Sequence, residues 1–369
     1  MSHVHSHDHM HAHGQDHPHE PFVDRRTLFR TGAAGLGAIL LAACGSSNSS
    51  SSSVTGGPST DAAVTDAAVT DAAVTDTAAT TAVTEATATP SAVIEAGGSL
   101  PGFDAFADSV RAFTSGDVWM IESDGLPSHQ MMVGITSWQQ QFPVSQPYTG
   151  TNAWQFPQTP ELADEPISAK TGLFRGAIAL AVNGVPIFNA LNNRGDDAFL
   201  VGELDEFGGH CGRADDYHYH VAPLHLQDVV GSANPIAYAL DGFPIYGSVE
   251  PDGSPLAALD EYNGHVGSDG VYHYHGTTTY PYLNGGLVGV VAVSDQVDPQ
   301  PVTPAFRSAG EPLAGAVITG FDDFGDGAYR LEYTLDGQVG SADYTVSDTE
   351  VAFEFTSPAG EITTETYSR

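Results

Sequence analysis

From Gly98 to Arg369 the apolar residues come in short runs that alternate with polar ones and stop at Gly, Pro, Asn or Asp. The end of the chain shows this most plainly. Tyr329, Leu331, Tyr333 and Leu335 alternate with Arg330, Glu332, Thr334 and Asp336, and Val351, Phe353 and Phe355 resume the alternation after a turn. A period of two is that of a strand with one face buried, so residues 315–369 are expected to form β-hairpins. Helical spacing is confined to Phe103–Phe113, which predicts one short helix. The pattern as a whole predicts a mainly β fold, an antiparallel β-sandwich or a partly closed barrel.

The middle of the chain contains itself twice. IALAVNGVPIF at 178–188 returns as IAYALDGFPIY at 236–246, and Asn183-Gly184 and Asp241-Gly242 each sit between two apolar runs. Asn-Gly and Asp-Gly tolerate the positive φ angles of a type I′ turn, so each copy is expected to open with a tight hairpin. LDEFGGH at 204–210 returns as LDEYNGH at 259–265, and both copies end in Tyr-His-Tyr-His, at 217–220 and 272–275. The repeats therefore span about 177–220 and 235–275, and the folded unit is expected to be built on this duplication.

Tyr-His-Tyr-His has strand period. His218 and His220 are expected on one face with Tyr217 and Tyr219 on the other, and His273 and His275 likewise oppose Tyr272 and Tyr274. His210 and His265 each precede the first histidine of their motif by eight residues and could supply a third nitrogen. Two imidazoles two apart on a strand, plus one from the preceding turn, form a candidate metal triad. The histidines recur at one spacing while most residues between them differ, CGRADDY against VGSDGVY. The spacing leaves open whether the triads form two sites or one shared dinuclear centre. Asp205, Glu206, Asp260 and Glu261 are candidates for carboxylates that orient the imidazoles.

These motifs resemble the YHYH-domain family of bacterial and algal secreted proteins. The resemblance rests on DGLPSH at 124–129, both Gly-x-Pro-Ile segments, Gly-Gly-His, both Tyr-His-Tyr-His motifs, Tyr238–Tyr246 and EITTETY at 361–367, and so covers most of 115–369. It implies a secreted domain and adds His129 as a possible further ligand. Family members often carry Pro after Gly-Gly-His, where this chain has Cys211. That cysteine is either an additional ligand or a small buried apolar residue.

The amino-terminal part reads as an address. Arg25 and Arg26, followed by Leu28-Phe29-Arg30, resemble a twin-arginine export signal. The apolar run from Ala33 to Ala43 is far shorter than the ~20 residues of a spanning helix. Leu41-Ala42-Ala43-Cys44 resembles a lipobox, so residues 1–43 are expected to be removed and Cys44 lipidated. Eight histidines lie between His3 and His19, upstream of that cut; they are either an incidental low-complexity tract or a cytosolic metal-holding segment. Residues 44–97 are rich in Ser, Thr and Ala, repeat Thr-Asp-Ala-Ala-Val from Thr60, and have no aromatic residue. They are expected to be a flexible tether. The folded unit would then be 98–369, anchored to a membrane through Cys44 on the extracytoplasmic side.

Composition narrows the function. Forty-six acidic residues stand against 11 basic ones, a formal net charge of −35. Nucleic-acid binding needs a basic face and is not expected. No phosphate-binding loop or Gly-x-Ser-x-Gly elbow occurs, so nucleotide chemistry and serine hydrolysis are not indicated. Imidazole-rich sites suit copper or zinc rather than calcium or magnesium. Three readings follow: an extracytoplasmic metal-binding lipoprotein, a metallo-hydrolase or metallo-oxidoreductase with an open three-histidine site, or a metal-free structural or carbohydrate-binding β-module.

Overall fold

The computed structural model describes residues 99–294, 302 and 304–369. Arg25, Arg26, Cys44, the histidine tract, the Thr-Asp-Ala-Ala-Val pentads and the whole of the proposed tether lie outside the described residues.

The described residues are mainly β, and their sheets are open rather than closed into a barrel. The largest sheet has eight strands, four from each repeat: β1 (Ala177–Ala181), β2 (Pro186–Phe188), β3 (Gly209–Cys211) and β4 (Tyr217–Tyr219), then β5 (Ala237–Ala239), β6 (Pro244–Tyr246), β7 (Gly264–Val266) and β8 (Tyr272–His275). Their order across the sheet is β7-β8-β6-β5-β1-β2-β4-β3. This order reads the same from both ends once the repeats are exchanged. The central pair β1·β5 is antiparallel, with Leu180 opposite Tyr238, Ala179 opposite Ala239 and Ala181 opposite Ala237. Leu180 and Tyr238 occupy the same position in the two repeats, so a pseudo-twofold axis normal to the sheet passes between them.

Most of the pairs within each repeat are antiparallel, but β2·β4 and β6·β8 run parallel. The sheet is therefore mixed, a feature that hairpin patterning alone does not reveal. A parallel neighbour needs a crossover, and the long loop between each hairpin and its histidine half supplies one.

Around this sheet lie a three-stranded sheet (Arg111–Ser115, Val118–Glu122, Trp154–Pro157), a pair formed by Leu162–Ser168 and Gly286–Gly289, and a five-stranded meander. The meander runs through Val317–Gly325, Ala328–Leu335, Gln338–Val346, Glu350–Thr356 and Ile362–Ser368, antiparallel throughout. Tyr329, Leu331, Val351 and Phe353 are buried, as their alternation predicts. Phe142 fills the gap beside the meander, with its ring centroid 5.1 Å from Phe353 and 5.7 Å from Tyr344. Among the described residues no helix is long and apolar enough to cross a membrane.

Two local expectations are corrected. The helical spacing over Phe103–Phe113 yields only a 3-10 turn, Phe103–Phe106, before the chain extends into the strand Arg111–Ser115. Only Phe103 of that turn is buried, so little apolar contact is available to prolong it. The repeat hairpins also do not close with type I′ turns. Gly184 (φ 81°) and Gly242 (φ 90°) are left-handed, but Asn183 and Asp241 are not. A type I′ turn needs positive φ at both central residues.

Asn183 and Asp241 have another task. Asn183 Nδ2 donates to the Tyr219 hydroxyl at 3.0 Å, and the Tyr274 hydroxyl donates to Asp241 Oδ2 at 2.6 Å. Each hairpin turn is thereby tied to the histidine strand of its own repeat. Asp241 is fully buried and also accepts the N–H groups of Phe243 and Gly289. Burial pushes its carboxyl up to about 6. Asp241→Ala strands three buried donors, each worth about 1–3 kcal/mol. The expected loss, net of relieving a buried charge, is about 2–4 kcal/mol in urea unfolding. Asp260→Ala, whose carboxylate is exposed, is expected to cost about 1 kcal/mol. Equal losses would show that the buried tie does not set the stability of the sheet.

Candidate metal centres

Each candidate centre is built by the alternation of one short strand. Tyr217 and Tyr219 on β4, and Tyr272 and Tyr274 on β8, are buried on one face. The Tyr217 hydroxyl donates to Asp205 Oδ2 at 2.7 Å and the Tyr272 hydroxyl to Asp260 Oδ2 at 2.9 Å. To reach those carboxylates the ring crosses the preceding strand at the second residue of Gly-Gly-His or Asn-Gly-His. A Cβ at Gly209 would lie 2.4 Å from the Tyr217 hydroxyl, and one at Gly264 2.2 Å from that of Tyr272. The residue before, Gly208 or Asn263, is left-handed with φ 85° or 64°, which Gly and Asn tolerate. The motif is thus a steric requirement for the tyrosine anchor.

With the tyrosines fixed, the histidines project from the opposite face. His210 lies opposite His218, and His265 opposite His273. The result is two clusters whose ligand atoms lie within 4.8 Å of one another: His210, His218 and His220, and Glu250, His265, His273 and His275. Both clusters sit on the same face of the sheet but at opposite ends. Five inter-strand steps separate β4 from β8, on the order of 24 Å. Metals of a dinuclear centre stand about 3.5–4 Å apart, so the shared centre that the spacing left open is not formed.

The imidazoles are held by backbone carbonyls. His218 Nδ1 donates to the Asp216 carbonyl (3.0 Å), His220 Nδ1 to that of Asn189 (2.5 Å) and His275 Nδ1 to that of Gly247 (2.9 Å). Asn189 and Gly247 are equivalent positions, one residue beyond β2 and β6. A carbonyl only accepts, so each of these nitrogens carries the proton and the other ring nitrogen is a bare lone pair in the neutral ring. His218 Nε2 and His220 Nε2 nonetheless face each other at 3.1 Å, and His210 Nε2 stands 3.0 Å from the same His220 nitrogen. In the second cluster His265 Nε2 is 3.3 Å from His275 Nε2. His273 Nε2 is buried with no hydrogen-bond partner among the described residues. The Glu250 carboxylate completes that ring, at 3.3 Å from His265 Nε2, 3.6 Å from His273 Nε2 and 3.7 Å from His275 Nε2.

Converging lone pairs repel unless a cation lies between them. Metal–nitrogen bonds of about 2.0–2.1 Å in tetrahedral array put neighbouring ligand atoms about 3.3 Å apart. The observed separations bracket that value, so both clusters are compatible with holding a metal ion. A bound divalent ion would supply a Lewis acid able to polarise an attached water or anion.

A proton is a poor substitute. Burial depresses His220 to about 3, with His218 nearby acting in the same direction. His210 is driven well below the ordinary imidazole range by burial and by His218, His220 and Arg194, and His273 and His275 are lowered chiefly by burial. At Glu250 burial acts upward, but the Ala257 N–H and the neighbouring imidazoles outweigh it and hold the carboxyl below its usual range.

The other sequence candidates lie elsewhere. Asp205 and Asp260 orient tyrosines and turn N–H groups instead of imidazoles. Glu206 and Glu261 are exposed. Cys211 is fully buried on the tyrosine face, opposite Tyr217, and its thiol is pushed well up by desolvation. It packs as a small apolar residue outside the imidazole cluster. His129 is also outside. Its Nδ1 donates to the Gln130 carbonyl, its Nε2 accepts the Tyr219 hydroxyl at 2.8 Å, and its ring stacks on Phe207. The candidate ligand missed in the sequence is Glu250. Its signal was its phase in the repeat, four residues beyond the hairpin, where the first copy has Asn192.

A mainly β fold with two tyrosine-anchored histidine clusters is the class of protein this geometry defines. Residues 153–255 match the model of the family described as YHYH protein. The match takes in the first repeat and the second hairpin and ends before the second histidine half. No curated protein and no solved structure matches the chain.

The depressed imidazoles give a signed pH dependence. His220 titrates near 6.5 when unfolded and near 3 when folded, so the unfolded chain binds the proton first as pH falls. Its contribution to stability is complete above about 6.5 and is lost toward 3. Metal-stripped protein is expected to melt at a lower temperature at pH 5 than at pH 7.5, and His220→Gln to flatten that difference. An unchanged difference in the variant would remove His220 from the account.

Proposed function

We propose that the protein is an extracytoplasmic, lipid-anchored metal-binding protein that takes copper or zinc at two separate histidine centres. The observation that carries the metal reading is the pair of bare Nε2 atoms of His218 and His220, 3.1 Å apart while both Nδ1 protons go to carbonyls. With both Nδ1 protons given to carbonyls, neither Nε2 can donate to the other, and a cation between them would satisfy both lone pairs. Imidazole donors favour copper and zinc over calcium or magnesium. Export and anchoring rest on the Arg25-Arg26 pair and the Leu-Ala-Ala-Cys44 sequence.

Elemental analysis of the full chain tests the metal reading. Relative to wild type, His218→Ala with His220→Ala is expected to lose one equivalent of metal, and His273→Ala with His275→Ala another. The paired variants cancel any contribution from the amino-terminal histidines, which all of them retain. Equal metal content in wild type and both variants would refute the reading. For the anchor, Cys44→Ala is expected to move the protein from the membrane fraction to the soluble one, and an unmoved protein would refute lipidation.

A further inference from the structure

The duplication that makes the two centres alike also shows where they part. Asn192 and Glu250 occupy the same place in the two repeats. The N–H of Asn192 bonds to Asp196 and that of Glu250 to Ser254; the N–H of Gly195 returns to Asn192 and that of Gly253 to Glu250. Flanking bridges match as well, Leu191 with Asp197 and Val249 with Pro255. The backbone is one design carrying two side chains of different chemistry.

Glu250 faces its three imidazoles with both oxygens, at 3.3–3.7 Å. Asn192 has nothing left to offer. Its Oδ1 accepts the N–H groups of Arg194 (2.9 Å) and Asp196 (3.0 Å), and its Nδ2 donates to Glu203 Oε2 (3.1 Å). Glu203, the buried carboxylate beside it, is taken by the Arg194 guanidinium. Among the described residues the first centre therefore has three imidazole nitrogens and no fourth ligand group grouped with them.

We infer, resting on the metal reading above, that the two centres differ in kind: His265, His273, His275 and Glu250 form a closed four-ligand site, and His210, His218 and His220 form an open one whose fourth position takes water or a small anion. Four protein ligands are the mark of a structural metal site, and three with a vacant position the mark of an exchanging or catalytic one. Charge supports the assignment. Glu250 neutralises half of a divalent ion at the closed centre. At the open centre the imidazole donors carry no charge and the ion keeps its own in full, so an anion is the favoured guest.

Cobalt(II) and azide separate the possibilities. The full chain is prepared with His273→Ala and His275→Ala, leaving the first centre, or with His218→Ala and His220→Ala, leaving the second. A chain with all four changes gives the cobalt held by the amino-terminal histidines. Azide is expected to shift the visible cobalt spectrum of the first-centre protein with at least about tenfold higher affinity than that of the second-centre protein. Adding Glu250→Asn to the latter is expected to open it to azide, and Asn192→Glu in the former to reduce its azide response. Equal azide affinity at both centres, or tighter binding at the second, overturns the inference while leaving the metal reading intact. Cobalt no higher in either protein than in the four-change chain overturns both. Should Glu250→Asn fail to fold, the two double variants alone decide.

Discussion

The centres depend on one constraint, the tie between each tyrosine hydroxyl and an Asx side chain behind the strand. A strand sends successive side chains to opposite faces, so whatever fixes Tyr217 and Tyr219 fixes His218 and His220 as well. Asp205 and Asn183 hold the first pair of tyrosines, and Asp260 and Asp241 the second. Tying one face leaves the other free of packing duties. The imidazoles can then converge, with His220, His218 and His275 oriented by the carbonyls of Asn189, Asp216 and Gly247. The anchors also join the hairpin half of each repeat to its histidine half, so sheet assembly and site assembly are one event.

The pseudo-twofold axis explains why the sites stay apart. It passes between β1 and β5, the strands that open each repeat, so the histidine halves, β3 with β4 and β7 with β8, lie toward the two edges. An axis normal to the sheet keeps both clusters on one face. Duplication here yields two separate histidine clusters on one face of one sheet. It also permits divergence, because a change in one loop, at Asn192 or Glu250, leaves the other copy untouched.

Much of this was legible in the chain. Alternation gave the β class and the meander, and recurrence at fixed spacing picked out His210, His218, His220 and their counterparts. What could not be read is of two kinds. The groups that fix the imidazole tautomers are carbonyls, which every residue has, so Asn189 and Gly247 carry no signal of their own. Glu250 was hidden because it lies in a Pro-Asp-Gly turn and because the other copy has a neutral amide there. Asp205 and Asp260 were assigned to the imidazoles, and the Gly-Gly-His geometry shows why they serve the tyrosines instead: the ring crosses the glycine to reach them. The expected type I′ turns failed because Asn183 and Asp241 are spent on hydroxyls.

The acidic composition now has a narrower meaning. A net charge of −35 raises the local concentration of cations around the domain. It cannot select among them, since exposed carboxylates bind weakly and salt screens them within about 8–10 Å. Selection belongs to buried nitrogen donors, which favour borderline transition metals over the hard cations that an acidic surface collects. Glu250 is the exception: one carboxylate with only a little of its side chain exposed, set among three imidazoles. Its oxygen donors make the second centre harder than the first and give it a formal charge that the first lacks. The two clusters thus share one acidic field and differ in donor set, and the difference resides in a single position of the repeat.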